Sequence, residues 1–254
     1  MYQTLTKADY KSMLGLSDDY QIEALLSYGH YDLEKQASRL RTSLINLGIV
    51  SNLKKMDNFL QNIFEFEINN KKYWFALVYG GVTLSEYIHL ACMFGSHKNI
   101  HIGSCGGLNP EMNSLDFLIP NYSYGNESST RFYDRQNDDN LHYSDKKLNQ
   151  QIKEKIVNEK VWEGPMMTCG AMLAETEEDI VRWSNEGYFG VEMETSTVFA
   201  VSKYFKVPSS SLVYVTDNLI KGQVVGDENH NLEKAARYQK AQKMHDIALS
   251  VLLS

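Results

Sequence analysis

The chain has 254 residues, of which 43% are hydrophobic, and a net charge of −7. This size suits a single α/β domain spanning residues 1–254, and the acidic balance excludes a general nucleic-acid binder, which would carry a basic patch. Three widely spaced cysteines do not make a disulfide framework, and no apolar run reaches the ~20 residues of a membrane helix. With no signal-peptide pattern at the N-terminus, we expect a cytoplasmic protein without membrane or nucleic-acid partners.

Short apolar runs bounded by Gly, Pro, Asn or Asp predict buried strands, and longer runs with helical spacing predict helices. The predicted strands are Ile22–Tyr28, Trp74–Tyr79, Ile100–Gly103, Phe117–Pro120 and Ser211–Thr216. The predicted helices are Asp32–Leu47, Leu84–Phe94, Asp145–Asn158, Glu177–Glu186, Glu194–Tyr204 and Asn231–Leu253. This alternation predicts an α/β three-layer sandwich whose mostly parallel central sheet is flanked by helices. In such a sheet, ligands bind at the carboxyl ends of the strands.

The first candidate site is the glycine-rich segment Gly103–Gly107, at the end of the third predicted strand. Clustered glycines leave backbone N–H groups free to face an anion, and the hydroxyl of Ser104 adds a donor. The alternative is a plain tight turn. Cys105 is a weaker candidate, because no base is evident near it and most such cysteines are small buried hydrophobic residues.

The second candidate is a pair of carboxylates, Glu192 and Glu194, before an apolar helix. Carboxylates beside buried positions are costly unless each has a partner. A ribose can supply one partner, because its 2′- and 3′-hydroxyls both donate to a single carboxylate. Alternatively, the two residues only favour the first turn of the helix through its dipole.

The third candidate is Asp217, which directly follows the predicted strand Ser211–Thr216. A carboxyl group at the end of a buried strand is where a general acid would lie in this architecture. The alternative is an Asp that caps a helix or forms a turn.

Together these segments resemble the nucleoside phosphorylase family, which includes bacterial purine nucleoside phosphorylases, uridine phosphorylases and methylthioadenosine nucleosidases. The similar segments are IHIGSCGGLNPEMNSLDFLIP, ESSTRFY, AETEEDIVRWSNEGYFGVEMET and VPSSSLVYVTDN, in the family's order. VEMET is the most specific of these motifs. The resemblance implies the family's fold and an enzyme that cleaves the N-ribosidic bond of a nucleoside. It implies no cofactor and no metal, with phosphate as co-substrate if the enzyme is a phosphorylase.

The resemblance also implies roles for individual residues. Glu194 would accept the ribose hydroxyls, and Met193 would pack against the sugar. Asp217 would protonate or hydrogen-bond the departing base at its imidazole nitrogen, while Ser104 and Gly29 would help to hold the nucleophile. Further substrate-binding candidates are Met172, at the base-stacking position, and Glu192, Cys105, Gly106 and His101.

The arginines with which the family's phosphorylases clamp phosphate are missing. Leu33 and His101 stand at two of their positions, and the segment Lys54–Phe59, which would reach a neighbouring subunit, contains no Arg. Leu cannot replace a bidentate guanidinium, and His or Lys does so only in part. Other arginines that are available as replacements are Arg39, Arg41 and Arg131.

Three hypotheses therefore remain. Phosphorolysis is the commonest activity of the family, and Asp217 favours a purine-like base. Hydrolysis would need a carboxylate base, for which Glu34 is the first choice and Asp32 the second, although both also suit an ordinary first turn of a helix. A non-catalytic nucleoside-binding protein is the third hypothesis. In each case the resemblance implies a homo-oligomer, either a dimer or a hexamer.

Overall fold

The computed structural model describes residues 2–57 and 61–254. The strands are β1 (Ala24–Tyr28), β2 (Lys54–Lys55), β3 (Ile63–Ile68), β4 (Lys71–Leu77), β5 (Asn99–Gly107), β6 (Phe117–Asn126), β7 (Leu141–Tyr143), β8 (Val161–Cys169), β9 (Gly190–Glu192) and β10 (Ser209–Asn218). The helices are α1 (Lys7–Met13), α2 (Leu33–Asn46), α3 (Gly81–Met93), α4 (Thr130–Tyr133), α5 (Lys146–Lys155), α6 (Glu177–Asn185), α7 (Thr195–Tyr204), α8 (Glu228–Leu232) and α9 (Lys234–Leu252). Every predicted strand and helix is present with shifted boundaries, except that the first residues of the predicted helix Asn231–Leu253 belong to the separate helix α8.

The prediction of a mostly parallel sheet is wrong, because the sheet is mixed. Among the strand pairings of the described residues, β1–β4, β1–β5, β5–β10, β6–β8 and β8–β9 are parallel. The pairs β2–β3, β3–β4, β5–β9, β6–β7 and β6–β10 are antiparallel. One cause is a hairpin between β3 and β4 that the sequence analysis missed. Its turn residues Asn69 and Asn70 have φ of 52° and 62°, the left-handed pair that a tight two-residue hairpin requires.

The sheet also closes on itself at one end. Strand β10 pairs with both β6 and β5, while β8 and β9 connect β6 back to β5. These five strands therefore form a barrel-like ring, from which β1, β4, β3 and β2 extend as an open sheet. In β10, the register with β5 shifts between Val215 and Asp217, and such a bulge re-aims the side chains around it.

Helices cover both faces of the open part of the sheet. On one face, α2, α5 and α9 pack through apolar residues such as Leu40, Ile152 and Met244. On the other, α3 and α7 pack through residues such as Ile88 and Phe199. Helix α2 follows β1 and helix α3 follows β4, so both begin at the carboxyl ends of parallel strands. The positive ends of these helices and the ends of their strands therefore meet at one rim.

Candidate active site

Glu194 lies at this rim, directly after β9 and at the start of α7, and is 6% exposed. Its Oε1 accepts the backbone N–H of Gly80 at 2.7 Å. Gly29, just after β1, passes so close that a Cβ there would lie 2.6 Å from Cδ of Glu194. The carboxylate therefore faces the ends of β1 and β4, and its side chain does not cap its own helix.

His101 on β5 lies on the other side of this carboxylate. Its Nε2 is 3.9 Å from Oε2 of Glu194, and its Nδ1 is 3.0 Å from Oγ of Ser27. The side chain is fully buried, which lowers the pKa of His101 to about 3. His101 is thus neutral and supplies no positive charge at the position where the family's phosphorylases have an arginine.

Glu192 is buried beside Glu194, but it is held differently. Its Oε1 accepts the hydroxyl of Thr168 at 2.6 Å, and its Oε2 accepts the N–H groups of Glu194 and Thr195, both at 2.8 Å. These contacts match the alternative interpretation of Glu192, in which its carboxylate stabilises the first turn of the following helix. Burial raises the pKa of Glu192, and these hydrogen bonds oppose the shift. Burial, and next the charge of Glu192, raise the pKa of Glu194.

Asp217 lies on β10 just past the bulge, in register with Gly106, and is 5% exposed. Burial raises its pKa, while a hydrogen bond from the hydroxyl of Thr216 and the nearby His230 oppose the shift. A raised pKa favours the protonated carboxyl group, which is the form that a general acid needs.

The glycine-rich segment Gly103–Gly107 is part of strand β5, so the tight-turn alternative is wrong. Ser104 is exposed on this strand. A Cβ at Gly106 would lie 2.6 Å from Cδ1 of Leu219, so a side chain there would require Leu219 to move. Cys105 is buried, and burial together with the charges of Glu192 and Asp217 raises the pKa of its thiol. The contacts of Cys105 are those of a small buried hydrophobic residue.

A cavity of about 260 Å³ lies beside the short 3-10 helix Met172–Ala174. Its lining residues are Asn126, Cys169, Gly170, Ala171, Ala174, Glu175, Asp179 and Trp183. Met172 itself is 47% exposed. Burial raises the pKa of Glu175, to which the charge of Asp217 also contributes. One residue that lines the cavity, Glu175, is therefore within range of the charge of Asp217.

Several predicted residues contribute other contacts. The carbonyl of Met193 accepts the N–H of Gly81 at 2.8 Å, which fixes the start of α3. Glu34 is exposed in the first turn of α2, and Asp32 caps that helix by accepting the N–H of Lys35. Arg41 and Arg131 are exposed. In the segment Lys54–Phe59, residues 58 and 59 lie outside the described residues.

The sequence analysis missed Gly80, Ser27 and Thr168. The pair Gly80-Gly81 after the predicted strand Trp74–Tyr79 was an available signal, because glycines at a strand end allow close backbone approach. Thr168 gave no signal, since it lies in the unpredicted strand β8 and its partner is distant in sequence.

His101, Glu192 and Glu194 also form a potential metal-ligating group in the described part of the chain, with ligand atoms within 4.8 Å of one another. Both oxygens of Glu192 already accept hydrogen bonds from protein donors. Glu192 therefore belongs to a hydrogen-bonded cluster that holds the backbone of Glu194 in place.

The sequence model of the phosphorylase superfamily matches residues 82–253, which is more than half of the chain. The chain belongs to the phosphorylase superfamily. The match spans β5, β9 and β10, the strands that carry or precede His101, Glu194 and Asp217. The prediction of a nucleoside phosphorylase-family enzyme is thus confirmed.

Relatives and solved structures agree with this membership. A DeoD-type purine nucleoside phosphorylase from Clostridium beijerinckii is 24% identical over 69% of this chain and 80% of its own. A guanosine phosphorylase from Halorubrum lacusprofundi is 22% identical over 56% of this chain and 60% of its own. The structure of a uridine phosphorylase from Vibrio fischeri superposes with a TM-score of 0.74 at 14% identity, covering 96% of this chain and 98% of that one. That last similarity concerns the fold alone.

Across the described ranges, none of the helices has the length and apolarity needed to cross a membrane.

Proposed function

We propose that this enzyme cleaves the N-ribosidic bond of a nucleoside with a purine-like base by phosphorolysis, releasing the base and ribose 1-phosphate. The observation that carries the proposal is the orientation of Glu194. This carboxylate is buried, fixed by Gly80 and turned to the rim where β1, β4 and β5 end. A second carboxyl group, Asp217, is buried on the neighbouring strand β10.

Glu194 would accept the 2′- and 3′-hydroxyls of the ribose. Its own pKa is raised, so hydroxyl donors would stabilise the ionised form that burial disfavours. Fixing the sugar aligns C1′ with the nucleophile, and such positioning can lower a barrier by several kcal/mol.

In the reaction, a phosphate oxygen forms a bond to C1′ while the bond from C1′ to the base nitrogen breaks. The electron pair of that bond leaves with the base, and the other nitrogen of its imidazole ring takes the proton of Asp217. General-acid help of this kind contributes typically ~10²–10⁴-fold. Apart from phosphate as co-substrate, the proposal requires no cofactor or metal.

The purine-like base is supported by the acid at position 217 and by the relatives, which include purine nucleoside and guanosine phosphorylases. The cavity beside Met172, lined by Trp183 and Glu175, would receive the base. We further propose a homo-oligomer, which light scattering of the purified protein would test.

The second candidate is hydrolysis, with water in place of phosphate. The observation that favours it is the lack of positive charge at two positions of the phosphate clamp, where Leu33 is apolar and His101 neutral. Glu34 would then be the base, although its exposed position on α2 is equally that of an ordinary helix charge.

The deciding experiment measures cleavage of inosine, adenosine, guanosine, methylthioadenosine and uridine, each with and without inorganic phosphate. Phosphorolysis predicts phosphate-dependent release of base, with purine nucleosides as the better substrates. Cleavage at the same rate without phosphate would instead establish the hydrolase. Nucleosides that bind in calorimetry but are never cleaved would establish a non-catalytic binding protein.

A further inference from the structure

Three amide or guanidinium nitrogens lie buried without hydrogen-bond partners among the described residues: Nε2 of Gln36, Nε of Arg39 and Nη1 of Arg237. Gln36 is fully buried, Arg39 is 5% exposed and the Arg237 side chain 11%. Buried polar groups are normally satisfied, and an unpaired buried charge is especially costly. Unpartnered donors of this kind indicate a place that a ligand fills.

Gln36 and Arg39 lie on α2 and Arg237 lies on α9, and these two helices pack against each other. Nη1 of Arg39 donates to Oε1 of Gln36 at 2.9 Å, so the amide nitrogen of Gln36 is left for another acceptor. The guanidinium carbon of Arg39 lies 4.6 Å from the ring centre of Tyr238, the residue after Arg237 on α9.

Among the described residues, this pair of arginines has a single, long ion pair. Within the described ranges Arg39 forms no ion pair, and the Glu233 oxygen paired with Nη1 of Arg237 is 4.0 Å away. Glu233 itself accepts the hydroxyl of Ser114. Two guanidinium groups with free N–H donors therefore present net positive charge, which favours an anion.

The cluster lies on the same face of the sheet as Ser104. Tyr214 on β10 is in register with Ser104 on β5, and paired residues of neighbouring strands point to the same face. Tyr214 packs in one core cluster with residues of α2 and α9. Burial raises the pKa of Tyr214, and the charges of Arg39 and Arg237 both oppose that shift, so both cations lie close to this tyrosine.

Helix geometry adds to the positive potential here. Gln36 and Arg237 are each the fourth residue of their helices, α2 and α9. Free N–H groups and the helix dipole make the first turns of helices favourable places for anions. Gln36 and Arg237 thus both lie near the positive ends of their helices.

We propose that Gln36, Arg39 and Arg237 form a subsite that holds inorganic phosphate beside Ser104, in place of the arginines missing at positions 33 and 101. The guanidinium groups provide planar forks that match the oxygens of a tetrahedral dianion. The role of this subsite in catalysis rests on the proposed phosphorolysis, whereas its binding of phosphate does not.

The test is calorimetric titration of the full-length protein with inorganic phosphate in the absence of nucleoside. Arg39→Gln and Arg237→Gln should each weaken phosphate binding on the order of ten- to a hundredfold, the effect of losing a charge-assisted hydrogen bond. Arg41→Gln is the matched control, because Arg41 is exposed on the same helix, and it should bind phosphate like the unmodified protein. Arg39→Lys, which keeps the charge without the fork, should bind between the two.

A second arm titrates a nucleoside 5′-monophosphate, because the same chemistry would also hold a phosphate attached to a sugar. The subsite is overturned if the unmodified protein does not bind inorganic phosphate, if only the nucleotide shows Arg39-dependent binding, or if Arg39→Gln and Arg41→Gln bind phosphate equally. If Arg39→Gln does not fold, Arg237→Gln and Gln36→Leu provide the same comparison.

Failure of the subsite is distinguishable from failure of the proposed function. Phosphate-independent cleavage by a protein that binds no phosphate would remove the subsite but keep N-ribosidic cleavage. Arg39-dependent phosphate binding in a protein that cleaves no nucleoside would keep the subsite and remove the proposed function.

Discussion

Two groups of buried polar side chains on opposite faces of the sheet, Glu192 on one and the Gln36, Arg39 and Arg237 cluster on the other, differ in how fully they are partnered. On the α7 face, Glu192 has both oxygens engaged by three protein donors. On the α2 and α9 face, Gln36, Arg39 and Arg237 keep donors without partners in the described part of the chain. The comparison teaches that a saturated polar group builds the scaffold, whereas an unsaturated one marks where a ligand is expected.

The largest effect should follow from Asp217→Asn, which keeps the shape of the side chain but removes the acid. We expect the rate of nucleoside cleavage to fall by about 10²–10⁴-fold, and most for bases that leave poorly. Steady-state kinetics on a series of purine nucleosides would measure this. Asp138→Asn, at an exposed position, is the control. An unchanged rate in Asp217→Asn would show that this carboxyl group is not the acid.

The next effect should follow from Glu194→Gln. Loss of the carboxylate misplaces the ribose, so we expect a fall of about a hundredfold in kcat/KM. A 2′,3′-dideoxynucleoside, which lacks the paired hydroxyls, should be cleaved equally poorly by the variant and the unmodified enzyme. Glu178→Gln, exposed on α6, is the matched control. A normal rate for Glu194→Gln with ribonucleosides would contradict the ribose assignment.

Thr168→Val tests whether Glu192 is part of the scaffold. Val keeps the shape of Thr but removes the hydroxyl that donates to Glu192 and accepts the N–H of Ser196 at 3.0 Å. We expect the free energy of unfolding to fall by about 1–3 kcal/mol, measured by urea denaturation. Thr42→Val, exposed on α2, should change it by less than about 0.5 kcal/mol. Equal stability of the two variants would show that Glu192 is not held as described.

The smallest effect concerns stability and pH. The pKa of Glu194 is raised from 4.5 in the folded protein, so between the unfolded and folded values the folded state binds more protons. The free energy of unfolding therefore falls as pH rises through that interval. Glu194→Gln should reduce this fall and stabilise the protein by about 0.5–2 kcal/mol at neutral pH. Thermal unfolding of both proteins across pH measures this difference. If Glu194→Gln had the same pH profile as the unmodified protein, burial would not raise the pKa of Glu194.

The periodicity of apolar residues was sufficient to predict five of the buried strands and the helices that begin at the site, because burial of one face leaves a pattern in the chain. It was not sufficient for strand direction. The alternation of strands and helices suggested a parallel sheet, but β9 is a short segment whose neighbours β5 and β8 lie far away in sequence.

The sequence by itself determined the family and the positions of Glu194 and Asp217 along the chain, since short motifs at strand ends encode these locally. Only the tertiary structure decided that Glu192 is saturated, that His101 is neutral and that Arg39 lies buried beside α9. The reason is physical: hydrogen-bond saturation and desolvation depend on groups that are distant along the chain and adjacent only after folding.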